Sequence, residues 1–248
     1  METLSLLEMS FCAFVVTVAF AVRGGTGFGA STVAIPLLVF AVPLQLAVSV
    51  TSALIIANSI GVVTRDWQSV AWHAVLPTVP FSLAGVALGL YCLASVEEAL
   101  LLRALGAVIV IFAIHGFFDG GHAPALSGRR RHILVAATGV AGGSLGTLFG
   151  AGVGPVYAMY MRALRLDARV FRVSVTSVIL FQLLARVAGY AGIGYYGEAV
   201  LLTLAAAAPF MLLGTWLGDA LVSRVDQRHF GQLVSAVLLV SGLGLLLR

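Results

Sequence analysis

The sequence predicts an all-α integral membrane protein of two inverted five-segment repeats, each with a glycine-rich break and a short half-helix. Composition is the first reason: of 248 residues, 60% are hydrophobic and 10% charged, and the mean hydropathy is +1.08. A soluble domain carries about 25% charged residues, so water cannot be the main solvent of this chain. Segment length is the second, because about ten apolar stretches succeed one another, most of them long enough to cross a hydrocarbon core of roughly 30 Å. The third is that the same landmarks recur in the same order in both halves.

Taken in order, the apolar segments cover residues 5–22, 30–42, 45–64, 74–94, 99–118, 133–149, 154–163, 171–190, 198–218 and 229–247. Helix suits them, because strands of a membrane barrel alternate polar and apolar residues and these runs are apolar on every side. Residues 1–22 read as the first helix and not as a signal peptide: Glu2 and Glu8 stand where a basic n-region belongs, and no polar mature domain follows. The second and seventh segments have about a dozen residues each, about 18 Å of helix, which is too short to span the core. They are the half-helices. The polar stretch Asp119–His132 divides the chain into a first membrane repeat, residues 1–118, a cytoplasmic linker, 119–132, and a second membrane repeat, 133–248.

Each half begins with a glycine cluster followed by a proline, Pro36 and Pro155. V-S-V-T-S comes next, at Val48–Ser52 and at Val173–Ser177, and then P-F-x-x-x-G-x-x-x-G, from Pro80 to Gly89 and from Pro209 to Gly218. An acid stands eight residues further on in both, Glu97 and Asp226. The copies lie 119 (36 to 155), 125 (48 to 173) and 129 (80 to 209) residues apart, slowly growing offsets that indicate duplication. An odd number of segments per half makes the second repeat enter the membrane from the opposite side. The arginines agree. Placing Arg129, Arg130 and Arg131 in the cytoplasm also places Arg65, Arg162, Arg165, Arg169, Arg172, Arg224 and Arg228 there, ten of the 14 basic residues. Arg103, Arg186 and Arg248 fall nearer the outside, and Arg23 sits at a glycine break. Both termini are then periplasmic, and the net charge of +4 is a topology signal, not a sign of nucleic-acid binding.

The stretch with most chemical content is R-G-G-T-G-F-G-A-S, Arg23–Ser31. A break in mid-membrane leaves backbone N–H groups without intrahelical partners, each costing several kcal/mol in hydrocarbon unless protein, water or a ligand meets it. The helix that restarts there also carries about half a positive charge at its first turn. Glycines let an anion approach that backbone, and hydroxyls add donors. Gly25, Thr26, Gly27, Phe28, Gly29 and Ser31 are therefore expected at an anion site. The second cluster, Gly142–Pro155, contributes Gly150, Gly152, Gly154, Pro155 and Tyr157, with proline where a helix restarts. The two breaks are expected to meet near the centre. Arg23 either supplies positive potential to the anion path or snorkels to the headgroups, and Arg186, about one turn from the end of its segment, is expected to snorkel.

The repeated V-S-V-T-S puts Ser49 with Ser52, and Ser174 with Ser177, on one helical face, and Thr51 with Asn58 on another stripe. Thr51, Ser52, Asn58, Thr176 and Ser177 are candidates for lining the pathway, against the alternative that such hydroxyls bond to their own helix. Gly85/Gly89 and Gly214/Gly218 have small-x-x-x-small spacing and are expected to serve helix packing. The G-x-S-x-G of Gly142–Gly146 is no nucleophile elbow, since it lies in an apolar helical stretch and not at a strand-turn-helix. No Walker A sequence is present, and Cys12 and Cys92 form no C-x-x-C motif. An enzyme is not expected, nor any cofactor or metal.

The chain resembles the sulfite exporter TauE/SafE family in R-G-x-T-G-F-G with its following proline (Arg23–Gly29, Pro36), in the second motif (Gly150–Pro155) and in the linker between halves. Many members have three successive glycines where this chain reads G-A-G-V-G-P, a departure that bears on substrate more than on fold. The resemblance implies a secondary transporter exporting sulfite or a small organosulfonate across the inner membrane, or, as in some relatives, taking up thiosulfate. Relatives specialised for thiosulfate look cysteine-dependent, and neither cysteine here lies in a glycine motif, which favours export. The expected partners are a small anion and the lipid bilayer; nucleic acid is not one, and a homo-oligomer is allowed. Cysteines introduced beside Arg129 and beside Arg165 should label from the same side of the membrane; labelling from opposite sides would overturn this topology.

Overall fold

The computed structural model describes residues 6–26, 28–118, 129–150, 153–164 and 166–221, with Leu239 and Leu243 helical; for some residues inside helices, among them Gly25, Thr26 and Pro155, it describes only the backbone. Ten α-helices are described: α1 Leu6–Thr26, α2 Ala30–Leu38, α3 Leu44–Asp66, α4 Trp72–Val75, α5 Val79–Ser95, α6 Glu98–Phe118, α7 Arg129–Phe149, α8 Val153–Ala163, α9 Ala168–Gly192 and α10 Glu198–Leu221. The protein is an all-α membrane protein. Five helical stretches among the described residues are long and apolar enough to cross a bilayer: Leu44–Ser69, Trp72–Leu93, Arg131–Phe149, Arg169–Gly192 and Glu198–Ala220. The helices follow the apolar segments closely, with α4 and two 3-10 turns forming the corner between α3 and α5. The expected linker, apart from its last four residues, and the tenth segment lie outside the described residues, except for Leu239 and Leu243.

α2 and α8 have nine and eleven residues, about 14 and 17 Å of helix against a core of roughly 30 Å. Both are interrupted where the sequence has glycine. Gly29, before α2, has φ 93° and ψ −8°, and Gly150, just after α7, has φ 63°. A side chain at such angles is strained, so glycine is what lets the chain leave one helix and start the next within a few residues. Pro155 stands in the first turn of α8, where its missing N–H deprives no intrahelical bond.

The most extensive packing joins α5 to α7 and α1 to α10, with α3 and α9 side by side in the centre. α3 also meets α10, and α9 meets α5; α2 meets α1 and α3, and α8 meets α7 and α9. Exchanging α1 with α7, α2 with α8, α3 with α9 and α5 with α10 maps these pairings onto themselves. Directions follow from which residues touch. Gly85 and Gly89 of α5 face Val140 and Thr147 of α7 in increasing order, so these two helices run parallel, and Gly214 and Gly218 face Thr17 and Ala21 in the same way. Ser52 faces Arg186 while Asp66 faces Arg169, so α3 and α9 are antiparallel.

The four glycines of the two P-F-x-x-x-G-x-x-x-G strings lie where backbones touch. A Cβ on Gly85 would collide with the Val140 carbonyl, on Gly214 with the Thr17 carbonyl, and on Gly218 with the Ala21 carbonyl. Backbone cannot rotate away as a side chain can. One end of the bundle gathers the starts of α7 and α9 and the ends of α3 and α10: Arg169 Nε donates to Asp66 at 3.1 Å, Arg172 to Asp219 at 3.0 Å, and Arg131 to the His73 carbonyl at 3.4 Å. At the opposite end Tyr196 donates to the Ser49 carbonyl at 3.1 Å, and Tyr190 stacks on Tyr195.

Gly218→Ala should destabilise the folded protein by about 1–3 kcal/mol, the usual cost of overpacking. Gly61→Ala, whose Cβ meets nothing within 4 Å, should be neutral or stabilising, since alanine is the better helix former by about 0.8–1.0 kcal/mol. Thermal unfolding in detergent checks both; equal midpoints for the two variants would contradict the close-packing account.

Candidate functional site: an arginine-lined cavity between the two breaks

α1 ends in R-G-G-T, and its last turn carries Arg23 into the protein, where it is 3% exposed. Its guanidinium is fixed by α3: Nε donates to Asn58 Oδ1 at 2.8 Å, and Nη2 donates to Ser59 Oγ at 2.6 Å. Asn58 in turn donates to Thr215 Oγ1 of α10 at 3.0 Å, and Ser59 to the Ile55 carbonyl at 2.6 Å. Arg23 is therefore held inside the bundle and does not snorkel.

Arg186 is a correction to the sequence reading, which sent it to the headgroups. It is 1% exposed, six residues before the end of the central helix α9, and donates through Nη1 to the Gly146 carbonyl and through Nη2 to Ser52 Oγ at 2.8 Å. Helix α9 continues to Gly192, and Tyr190, one turn further along, sets its ring against the guanidinium with the centroid 5.9 Å away. Tyr190 donates to the Thr147 carbonyl, so the residues that roof Arg186 are themselves tied to the end of α7. Snorkelling is closed off by that roof.

A narrow, partly open cavity lies between the breaks, with room for about one water molecule. Arg23, Gly29, Ser31, Gly150 and Gly154 line it, all expected from the sequence, together with Ile55, Ile179, Gln182, Leu183 and Arg186, which were not. Gly29 and Ser31 belong to the start of α2, and Gly150 and Gly154 to the approach and first turn of α8. Two helix N-termini thus face one space, each with partial positive charge and N–H groups beyond the reach of intrahelical bonding. Among the described residues, no acidic side chain lines it. Two guanidiniums, two helix starts and a serine make a cavity that attracts anions and repels cations.

The other predicted residues are placed differently. Phe28 covers Gly154, and Tyr157 covers Gly142: a Cβ on either glycine would run into the ring, at 2.9 Å from Phe28 Cγ in one case and 2.6 Å from Tyr157 Cζ in the other. Ser52 and Asn58 hold the arginines and do not line the cavity. Thr51 is buried beside them on α3. Thr176 donates to the Arg172 carbonyl and Ser177 to the Val173 carbonyl, both at 2.8 Å, the own-helix bonding that competes with a lining role. Gly27 and Gly152 lie outside the described residues, as do the side chains of Thr26 and Pro155. Gln182 and Arg186 could have been found in the sequence: they are the polar pair, four residues apart, in the apolar run S-V-I-L-F-Q-L-L-A-R, and an ionisable group inside a membrane segment marks a functional site by default.

The model of the sulfite exporter TauE/SafE family matches residues 12–245 of the chain. Neither the curated proteins nor the solved structures hold a match to it.

Because Phe28 and not open space meets Gly154, Gly154→Ala should destabilise the protein, and Phe28→Ala should relieve that loss. A double-mutant cycle read by thermal unfolding should give a coupling of at least about 0.5 kcal/mol, as contacting residues do. Additive effects would mean that the two breaks do not touch there.

Proposed function

Since the chain belongs to the sulfite exporter TauE/SafE family, a family of membrane transporters and not of enzymes, we propose that it exports sulfite or a small organosulfonate across the inner membrane through the cavity between its two breaks. One observation carries this reading: two buried arginines from different helices, Arg23 and Arg186, line one space together with the starts of α2 and α8, and no carboxylate accompanies them. An oxyanion offers several acceptors at once, which is what such a set of donors needs. Neither Cys12 nor Cys92 lines the cavity, which favours a sulfite-like anion over thiosulfate.

Direction follows from the membrane potential. An inside-negative voltage assists outward movement of an anion by about 2.3 kcal/mol per charge per 100 mV, so export needs no other energy source. The exchange pattern of helix pairings and the antiparallel run of α3 and α9 support two inverted repeats, rocking against one another to open the cavity to either side. Gathering of Asp66, Arg169, Arg172, Asp219 and Arg131 at one end supports that end as the cytoplasmic one, with both termini periplasmic.

In proteoliposomes, wild-type protein should pass sulfite in response to an applied voltage. Arg23→Ala and Arg186→Ala should each reduce that flux at least about tenfold, the worth of one charge-assisted hydrogen bond. Absence of voltage-driven sulfite flux in folded wild-type protein would overturn the reading.

A further inference from the structure

The wall of the cavity formed by α9 carries two polar side chains one helical turn apart, Gln182 and Arg186, and they are incomplete in complementary ways. Gln182 is fully buried; its Nε2 donates to the Gly142 and Gly143 carbonyls at 3.3 and 3.5 Å, and its Oε1 has no hydrogen-bond partner among the described residues. Arg186 has its two terminal nitrogens engaged by Gly146 and Ser52, and its Nε–H has no partner among the described residues. Residues four apart share a helical face, so one unmatched acceptor and one unmatched donor stand side by side in the same wall. The orientation of the amide is set by its neighbours. Rotating it by half a turn would press Oε1 against two carbonyl oxygens, and oxygen repels oxygen where N–H attracts it.

Leaving such groups unmatched is costly, more so for a charged group, and a ligand of one character alone cannot satisfy both. An anion with acceptors only would satisfy Arg186 and press its charge against the Gln182 oxygen. A neutral donor would satisfy Gln182 and leave the arginines unpaired. A ligand that meets both has an oxygen bearing negative charge beside an oxygen bearing hydrogen. Solvation points the same way, because the cost of removing an ion from water rises with the square of its charge, so a monoanion enters this narrow cavity far more easily than a dianion.

Building on the proposed function, we infer that the transported species is the singly charged, protonated form of a weak oxyacid, with Arg186 Nε–H donating to an ionised oxygen and Gln182 Oε1 accepting the O–H. For sulfite this is the O-protonated hydrogen sulfite ion. Gln182 is then a specificity residue: it selects the protonation state and disfavours both fully ionised dianions and sulfonates, which have the same SO3 head but no O–H. Each anion exported would also carry its proton out.

Calorimetry on the purified full chain, with sulfite and with methanesulfonate as probes, tests this. Sulfite takes up a proton near neutral pH, whereas methanesulfonate does not titrate there. Above the ionisation of hydrogen sulfite, the apparent sulfite affinity of the wild type should fall about tenfold per pH unit, as expected when one protonation state binds, while methanesulfonate affinity stays level. Gln182→Leu should weaken hydrogen sulfite at least about tenfold and leave methanesulfonate unchanged or tighter, since the former loses a hydrogen bond and the latter loses only a repelling oxygen; retained methanesulfonate binding also reports that the variant is folded. Sulfite affinity that stays level or rises with pH in the wild type, or equal losses of both probes in the folded variant, would overturn the inference and leave an anion site in place. A wild type that binds neither probe would remove the proposed function, and this inference with it.

Discussion

Burying an arginine in a membrane helix costs up to roughly 2.5–3.5 kcal/mol on insertion scales, and this chain buries two of them against one cavity. Much of the central architecture follows from satisfying them. Arg23 is met by two side chains on successive positions of α3, Asn58 and Ser59, and the first of these is itself fixed by Thr215 of α10. Arg186 is met by a hydroxyl of α3, by a carbonyl near the end of α7 and by the face of Tyr190. The two halves solve the same problem with the roles of their helices exchanged. In the first, the arginine stands on the broken helix and its partners on the central one; in the second, the arginine stands on the central helix α9 and its backbone partner on the broken helix α7. Either way a guanidinium ties the helix before a break to a central helix beside it.

That tie explains why the glycines are distributed as they are. Where α1 meets α10 and α5 meets α7, glycine removes side-chain bulk so that backbones come together, and these contacts form the outer supports of the bundle. At Gly29 and Gly150 the requirement is conformational, since positive φ lets the chain reverse within the membrane. Reversal creates two short helices whose positive ends face one space, and the arginines add full charges to those partial ones. The charge excess repels itself, and lipid offers no relief. An anion would, and in the proposed function that links the cost of building the cavity to its selectivity.

The helices were legible in the sequence because hydropathy over long runs reports burial in lipid directly: all nine of the segments that lie among the described residues became helices close to their expected bounds. The glycine break of R-G-G-T-G-F-G was legible for the same reason, as punctuation in an apolar run. Arg186 was misread because distance from a segment end was taken as access to the headgroups; Tyr190 and Tyr196, which close that route, are ordinary aromatic residues whose positions only the folded chain reveals. Ile55, Ile179 and Leu183 have no distinguishing pattern at all. Of the repeated V-S-V-T-S, Ser52, Thr176 and Ser177 bond to their own helices, Ser52 also holds Arg186, and Ser174 accepts from the Ala71 amide, because a serine or threonine in a membrane helix has its own backbone within reach.

The proposed transport requires an anion to rest between Gly29 and Gly150, within reach of Arg186. Crystals of the protein grown with selenite, the heavier relative of sulfite, locate such an ion directly through the anomalous scattering of selenium. An anomalous peak is expected inside the cavity, at hydrogen-bond distance from the Arg186 guanidinium and beside Gln182. A peak found only at the ends of the bundle, next to Arg169 or Arg172, with none between the breaks, would contradict it.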